Sequence, residues 1–367
     1  MSFVEAIAEK RDGGILTREQ VTAFVRGASD QSLPLEQLSA MLMAICLRGM
    51  NADETTWLTE EMLHSGEVWD LAGDCPEVVD KHSTGGIGDT VSLILAPLLA
   101  AVGVPVAMMA GRGLGHSQGT LDKLDAIPGW DSTRDRAETL ALVDACGAAI
   151  IAQTEEIAPA DRTLYALRDV TATVPSLPLI VGSIMSKKLA LGAGALILDV
   201  KWGSGAFRKT VTEARELAVA LRQVARDTGV RCEALITDMN QPLGPALGPS
   251  CEVREAIAIL SGSGDRLLRE TSLALSREAM KLRGWDGADA AGVLARALDD
   301  GSALAAWERM VAAHGGNPDP EVLEQPQRTF EVAAVTEGTV AGCDGEELGR
   351  VAAEVGAGRR RVDEELA

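Results

Sequence analysis

The sequence predicts an α/β protein with a mostly parallel sheet, a small all-helical domain before it and a short mixed α/β domain after it. A chain of 367 residues is too long for one small core and suggests two or three domains. Residues 1–65 space their apolar side chains as helices do, whereas short apolar runs alternate with helical patterns from residue 81 onward. Strands separated by helices are typical of a parallel sheet.

The helical domain, 1–65, carries clear helix signals. Thr17 and Gln20 form a capping-box pattern ahead of an apolar stretch, and residues 35–47 show helical spacing. The second stretch is more apolar than a lone surface helix needs, so part of it is predicted to meet another subunit. Residues 66–80 contain Gly and Pro and are predicted to be a linker and hinge.

The α/β domain is predicted to span 81–327. Its expected strands are 104–110, 148–152, 195–200 and 231–237. Its expected helices are 89–102, 119–126, 133–146, 159–168, 176–191 and 210–228, with further helical residues over 250–315. Alternating β-branched residues from about 328 predict a partial C-terminal domain, 328–367.

Composition narrows the class of partner. A net charge of −20 argues against binding nucleic acid through a broad basic surface, although a local positive pocket still suits a small anion. The longest apolar stretches are interrupted or too short for a membrane span, and the N-terminus lacks a secretory pattern. Six scattered cysteines show no paired metal-ligand spacing. We therefore expect a cytoplasmic protein that binds neither nucleic acid nor membrane.

The stretch KHSTGGIGDTVS, residues 81–92, is the main candidate for chemistry. It packs lysine, histidine and hydroxyl side chains around three glycines, where backbone amides also point at an anion. The apolar run ending at Val79 predicts a strand before this loop, and the apolar pattern after it predicts a buried helix. Glycine-rich turns of this kind also occur purely for packing, and the P-loop and dinucleotide spacings are absent.

Three further motifs follow in order: GRGLGHSQGTLDKLDAIPGW (111–130), YALRDVTATVPSLPLIVGSIMSKKLA (165–190) and LDVKWGSGAF (198–207). Together with residues 81–92 they closely resemble the thymidine and pyrimidine-nucleoside phosphorylases, over roughly the first nine-tenths of the chain. The resemblance implies reversible phosphorolysis of thymidine or a related pyrimidine nucleoside to free base and 2-deoxyribose 1-phosphate. It implies a homodimer joined through the helical domain and no required cofactor, with phosphate as a co-substrate.

The resemblance also implies roles for individual residues. Phosphate would be bound by Lys81, Ser83, Ser92 and Thr120. The base would be bound by His82, Arg168, Ser183 and Lys187, with catalysis by His82, Arg168 and Lys187. The near-neutral pKa expected for His82 would suit either proton or hydrogen-bond donation. A local positive island is expected at Lys81, Arg168 and Lys187.

Two further assignments come from the same resemblance. Met108 stands where thymidine-selective relatives have Met and broader enzymes have Lys, which favours thymidine and deoxyuridine. No metal cluster is expected from four separated histidines. Gly88, Thr90 and Glu252 resemble positions that surround a potassium ion in some relatives.

The sequence departs from the family at three places. Ala110 stands where a phosphate-binding Ser is usual, and Gln118 replaces a glycine, which would cost strain if that position needs positive φ. The C-terminal domain is short relative to the family. These departures keep open a non-catalytic, nucleoside-binding paralogue.

A second alternative is an anthranilate-type phosphoribosyltransferase, which shares the architecture but needs Mg²⁺ for a pyrophosphate substrate. Purely structural roles also remain open for single residues. Arg168 would form an ion pair with Asp169, Lys187 would be solvated, and Ser183 would hydrogen-bond to the backbone of its own helix.

Overall fold

The structure is a computed structural model that describes residues 2–113, 117–326 and 328–357. In these ranges a five-stranded sheet lies beside a helical bundle. The strands are β1 (Val79–Ser83), β2 (Val106–Ala110), β3 (Ala148–Ala152), β4 (Ala195–Trp202) and β5 (Arg231–Asp238). They are ordered β3-β2-β1-β4-β5, and every pair is parallel. The predicted α/β class and the predicted strands are confirmed.

The helices of the described residues occupy almost all of the predicted positions. They are α1 (Phe3–Arg11), α2 (Arg18–Ser29), α3 (Leu35–Arg48), α4 (Ala52–Leu63), α5 (Leu71–Asp74), α6 (Val91–Ala101), α7 (Thr120–Leu124), α8 (Arg136–Cys146), α9 (Pro159–Val170), α10 (Leu177–Ala190), α11 (Val211–Asp227), α12 (Pro249–Leu260), α13 (Arg266–Leu282), α14 (Gly287–Asp299), α15 (Ser302–Ala313) and α16 (Gly345–Glu354). None of them is both long enough and apolar enough to span a bilayer.

The first four helices fold around their own apolar core. The predicted capping box at the start of α2 is formed. The backbone N of Gln20 donates to Thr17 Oγ1 at 3.3 Å, and the backbone N of Thr17 donates to Gln20 Oε1 at 2.7 Å. Phe24 and Leu42 are fully buried in this core. The bundle is therefore a separate apolar unit.

Two later helices join that bundle. Ala160 and Leu164 of α9 and Leu179 of α10 belong to the apolar cluster of α1–α4. Farther along α10, Val181 and Met185 pack instead in the cluster on one face of the sheet. Helix α10 thus lies between the two parts, and the predicted domain 81–327 contributes two of its helices to the bundle.

Strand β1 extends farther than the sequence predicted. Lys81, His82 and Ser83 are its last three residues and pair with Ile197, Leu198 and Asp199 of β4. Lys201, which was expected to follow β4, likewise lies inside that strand. These polar residues belong to the strands because β1 and β4 are neighbours in the middle of the sheet and pair with each other over Val79–Ser83.

The linker 66–80 is firmly hydrogen-bonded. Trp69 N donates to Ala190 O at 2.6 Å, and Ala72 N donates to Gly192 O at 2.8 Å. The linker thus runs along the C-terminal end of α10 before entering β1. The predicted hinge here stays a prediction.

The C-terminal residues differ from the expected mixed domain. Within the described part of 328–357 there is no strand, and α16 is the one helix. The alternating side chains Phe330, Val332, Val335 and Val340 are almost fully exposed. A strand pattern forms a strand only beside a partner strand, and none of the described residues supplies one here.

Candidate active site

The glycine-rich segment connects β1 to α6 through a turn that needs its glycines. Gly85 and Gly88 have positive φ, at 90° and 63°. A Cβ on Gly86 would lie 2.5 Å from Met239 Cε and 3.0 Å from the Lys201 side chain. The turn is therefore held close to β4 and to the residues after β5.

Lys81 and Ser92, two of the predicted phosphate ligands, are brought together. Lys81 Nζ donates to Ser92 Oγ at 3.0 Å and lies 3.8 Å from Asp199 Oδ2. Burial lowers the pKa of Lys81, whereas Asp89 and Asp199 raise it. The ammonium group is thus in place with a hydroxyl beside it, as an anion site requires.

The other two predicted phosphate ligands lie on neighbouring segments. Ser83 Oγ donates to Asp89 Oδ2 at 2.7 Å and accepts from Gly85 N at 3.3 Å, so it braces the turn. Thr120 is the first residue of α7, directly after Gly119 at the helix N-cap. The assignment of phosphate to these two residues stays a prediction.

Behind Lys81 lies a buried network of lysines and carboxylates. Lys201 Nζ is 2.7 Å from Asp199 Oδ2 and 3.6 Å from Asp89 Oδ2. Lys123 Nζ is 2.8 Å from Glu252 Oε2 and also donates to the carbonyl of Asp89.

The charges of this network balance. Three ammonium groups, including that of Lys81, face three carboxylates. Burial alone would raise the pKa of Asp89, but Lys201, Lys81 and Lys123 together lower it below its usual range. The positive island expected at Lys81 is therefore wrong, because carboxylates already neutralise this lysine.

The predicted base ligands on α10 share one face. Ser183 and Lys187 are one turn apart, with Lys187 Nζ 3.0 Å from Ser183 Oγ. Both also contact Asp161 of α9: Ser183 Oγ donates to Asp161 Oδ2 at 3.0 Å, and Lys187 forms an ion pair with the same oxygen. The Lys187 side chain is one-quarter exposed, so it reaches the surface of the site without being a freely solvated lysine.

Arg168, in the last turn of α9, is held by backbone carbonyls. Its guanidinium donates to Val174 O at 2.8 Å and to Leu179 O at 3.0 Å. Burial lowers its pKa, and Asp161 acts in the opposite direction. The alternative of an ion pair with Asp169 is not observed; the guanidinium lies instead 5.4 Å from the centroid of the Tyr165 ring.

Asp161 was assigned no role from the sequence. It lies in the first turn of α9, where an acidic residue is ordinary because of the helix dipole. Its spacing of seven residues from Arg168 places both on one face of α9, and that signal was present in the sequence. Only the packing of α9 against α10 shows that the carboxylate joins Ser183 to Lys187.

His82 lies on β1 among three lysines. Burial, followed by the charges of Lys188, Lys81 and Lys187, lowers the pKa of His82 well below 6.5. The near-neutral pKa expected from sequence is therefore wrong. With its pKa lowered in this way, His82 is an uncharged imidazole at neutral pH, with one ring nitrogen able to donate a hydrogen bond and the other able to accept one.

A buried ion pair that the sequence did not predict holds α10 against the sheet. Lys188 Nζ donates to Asp80 Oδ1 at 3.0 Å, to Lys81 O at 3.1 Å and to Met109 O. Burial raises the pKa of Asp80 to about 6, and Lys188 opposes that shift. We call this pair the α10 anchor. It sets Lys187 next to β1.

Met108 lies in β2 and is buried in the apolar cluster that also holds Val106 and Ile150. Its effect on substrate choice stays a prediction. Ala110 ends β2 and brings no hydroxyl.

Gln118 is free of the strain foreseen for it. The non-glycine residues with positive φ in the described part of the chain are Gln31, Ala158 and Ala172. The Gln118 amide instead donates to the carbonyl of Ala357, just beyond α16. The neighbouring His116 lies outside the described residues.

Two glutamates one turn apart on α12 lie near the cation site that the resemblance implies. Glu252 is already used, because it pairs with Lys123 and accepts from Gly248 N at 3.1 Å. One turn later, both carboxylate oxygens of Glu255 are buried without a hydrogen-bond partner, as is Thr90 Oγ1. Burial raises the pKa of Glu255 to about 7.

Backbone oxygens complete this set. A Cβ on Gly88 would lie 3.3 Å from the carbonyl oxygens of Gly244 and Ala246, and a Cβ on Gly244 would meet the Glu255 carboxylate. Carboxylate, hydroxyl and carbonyl oxygens are the ligands of hard cations. Carbonyl oxygens of Gly244 and Ala246 thus lie close to Gly88, with the Glu255 carboxylate beside Gly244, and the binding of potassium here stays a prediction. No group of three His, Cys, Asp or Glu side chains in the described ranges forms another candidate metal site.

Comparison with known proteins agrees with this arrangement. Residues 4–66 match the helical bundle domain of a glycosyl transferase family, and residues 75–304 match its a/b domain. A solved anthranilate phosphoribosyltransferase from Thermus thermophilus is similar in fold, with a TM-score of 0.68, 17% identity and coverage of 84% of this chain and 99% of that one.

Two curated relatives are much closer in sequence. The pyrimidine-nucleoside phosphorylase of Geobacillus stearothermophilus is 45% identical over 98% of this chain and 84% of its own length. The thymidine phosphorylase of Sinorhizobium medicae is 46% identical over 99% of this chain and 84% of its own length.

The two domain matches show that the chain belongs to a glycosyl transferase family with a helical bundle domain and an a/b domain. Within that class, the chain belongs to the family of the pyrimidine-nucleoside and thymidine phosphorylases. The resemblance given by the four sequence motifs is confirmed.

The α10 anchor predicts a stability difference. Replacing Lys188 with Met leaves Asp80 buried without its cation, which we expect to lower the free energy of unfolding by about 3–5 kcal/mol at pH 7. The measurement is urea unfolding followed by circular dichroism. The control is Lys209→Met, because Lys209 forms an exposed ion pair with Glu346 and should change stability by less than about 1 kcal/mol. Equal effects of the two substitutions would contradict the anchor.

Proposed function

We propose that the protein catalyses reversible phosphorolysis of pyrimidine nucleosides, with thymidine as the expected substrate. In this reaction a phosphate oxygen bonds to the anomeric carbon, the bond from that carbon to the base nitrogen breaks, and its electron pair leaves with the base. The observation that carries the proposal is the α10 anchor, which joins a cationic base half-site on α9 and α10 to the lysine and glycine-rich turn of β1. The names of the relatives support the same reaction.

The phosphate half-site acts mainly by position. Lys81 and Ser92 offer an ammonium and a hydroxyl, and the turn from Gly85 to Gly88 offers backbone amides. Because Asp199 and Asp89 already balance the lysines, the pocket need not hold an unpaired charge before phosphate arrives. Holding phosphate against the sugar makes the attack effectively unimolecular.

The base half-site stabilises the leaving group. Negative charge develops on the base as the bond breaks, and Arg168 and Lys187 are the cations near it. Arg168 is buried, donates to two carbonyls and lies 5.4 Å from the centroid of the Tyr165 ring, so its charge is weakly screened by water. His82, uncharged between the two halves, donates a hydrogen bond rather than a proton. The interactions of these three side chains with the base strengthen as negative charge builds on it. They therefore stabilise the transition state more than the bound substrate and lower the barrier.

Two further properties follow, the location of the protein and its oligomeric state. We place the protein in the cytoplasm, where its six free cysteines would remain reduced. We also propose a homodimer through α3, which leaves Leu35, Met43 and Leu47 exposed although the rest of its apolar residues are mostly buried. Such a group of exposed apolar side chains on one helix suits a subunit interface.

The two rival functions make different demands. A phosphoribosyltransferase needs a pyrophosphate substrate with Mg²⁺, so phosphorolysis that survives excess chelator would exclude it. The similarity to a phosphoribosyltransferase at 17% identity indicates a shared fold and does not indicate a shared reaction. A binding-only paralogue, which Ala110 favours, would bind thymidine in calorimetry without releasing thymine.

The test of function is ultraviolet detection of thymine released from thymidine while phosphate is titrated to high concentration. We expect saturable, phosphate-dependent release. Arg168→Ala should lower kcat/KM by about 10²- to 10³-fold, because a preorganised donor to the leaving group is lost. Arg162→Ala is the control, since Arg162 lies on the same helix but pairs with Glu155 at the surface. Full activity of Arg168→Ala would disprove the base half-site.

The cation site predicts a difference between two neighbouring glutamates. We propose that potassium binds Thr90, Glu255 and nearby carbonyls and braces the turn before α6. Potassium, compared with tetramethylammonium at equal ionic strength, should raise the melting temperature of the unaltered chain, since a ligand bound only to the folded state stabilises it. Glu255→Gln should abolish that rise and Glu252→Gln should retain it. The reverse pattern would return the site to Glu252.

The dimer predicts a change of mass. Leu47→Glu places a charge in the proposed interface and should give monomers of 38.5 kDa by light scattering, where the unaltered chain gives twice that mass. Val219→Glu is the control because Val219 is an exposed apolar residue on α11, away from α3. A monomeric unaltered chain at micromolar concentration would overturn the proposal.

A further inference from the structure

The hydroxyl of Ser183 is fixed in direction by its two neighbours. Asp161, paired with Lys187, is a carboxylate and can only accept hydrogen bonds, so the Ser183 proton must point to it across 3.0 Å. The Lys187 ammonium can only donate, so it takes one lone pair of Ser183 Oγ, also at 3.0 Å. One lone pair of Ser183 remains, and Ser183 faces a ligand only as an acceptor.

The remaining carboxylate oxygen of Asp161 is likewise a hydrogen-bond acceptor. Asp161 Oδ1 is buried and has no hydrogen-bond partner within the described residues. Asp161 and Ser183 are each more than nine-tenths buried. The centre of the base half-site is therefore an acceptor region, and the cations Lys187 and Arg168 are the donors beside it. Unmet acceptors at this depth are costly, so a ligand must bring a donor to them.

Pyrimidine bases differ in this respect. Uracil and thymine present a ring N–H between two carbonyls, which is acceptor, donor, acceptor along one edge. Cytosine presents a carbonyl, an unprotonated ring nitrogen and an amino group on the same edge. The first pattern complements a hydroxyl acceptor with cationic donors beside it. The second places a lone pair against a lone pair and an amino group against a cation.

We propose that Asp161 is a positioning residue that holds the Ser183 hydroxyl as an acceptor and thereby confines the site to bases with a ring N–H between two carbonyls. This inference rests on the proposed function, because it takes the base to meet Ser183, Lys187 and Arg168. It adds a determinant of base choice that lies in hydrogen-bond direction rather than in pocket size. A buried group left unpaired is a strong source of such discrimination.

The test compares thymidine with deoxycytidine in Asp161→Asn. An asparagine amide can donate to Ser183, which frees the hydroxyl to donate to a ligand. We expect the ratio of kcat/KM for thymidine over that for deoxycytidine to fall by about ten- to a hundredfold, the value of one hydrogen bond in a charged setting. Asp169→Asn, an exposed change on the same helix, should leave the ratio unaltered.

The outcomes separate the two levels of the proposal. If Asp161→Asn slows both substrates equally and the ratio stays the same, the positioning role is overturned while phosphorolysis stands. If the unaltered chain releases no thymine at any phosphate concentration, the proposed function fails first and takes this inference with it. A merely structural role of Asp161 would move stability and both rates together, but not their ratio.

A second variant covers the case in which Asp161→Asn does not fold. Ser183→Ala removes the acceptor and leaves the Asp161–Lys187 ion pair in place. Thymidine should lose about tenfold or more in kcat/KM, whereas deoxycytidine, which gains nothing from this acceptor, should be unaffected or improved. An unchanged ratio in Ser183→Ala would overturn the inference.

Discussion

The buried contact between Lys188 and Asp80 is the constraint on which the site depends. Lys188 donates to Asp80 and to the carbonyls of Lys81 and Met109, and so holds α10 against β1 and β2. An ammonium in this position is worth keeping only if all its hydrogen bonds are made, because desolvation is costly. Three acceptors meet that need. The residue before it, Lys187, is thereby fixed beside the end of β1 where His82 lies.

The buried charges bear on how an acidic protein would hold the phosphate of the proposed reaction. The chain carries a net charge of −20, and even the lysines around the glycine-rich turn are matched by carboxylates. A long-range positive field is therefore not what draws the anion. The site instead offers short-range donors held in direction by Asp199 and Asp89, and such preorganised groups need little rearrangement when phosphate binds. The same principle operates at Ser183, whose direction is fixed by Asp161.

The sequence predicted most of the helices and strands but few of the side-chain contacts between distant segments. Periodicity placed strand β3 at 148–152 as observed, because alternating strands and helices leave strong local signals. The end of β1 was missed because Lys81 and His82 are polar residues that only a central ladder places in a strand. Asp161, Asp80 and Glu255 were missed because their roles come from packing between distant segments. A carboxylate in a helix looks the same in sequence whether it meets water or a buried lysine.

The anchor also limits how the two halves of the site can close. If α10 moved with the bundle and away from the sheet, Asp80 would be left buried without its cation, at a cost of several kcal/mol. The linker hydrogen bonds from Trp69 and Ala72 meet the chain at Ala190 and Gly192, the same end of α10. Both sets of contacts lie at the C-terminal end of α10. Any movement of the bundle that keeps these contacts leaves Lys187 close to β1, because Lys187 immediately precedes the anchoring Lys188.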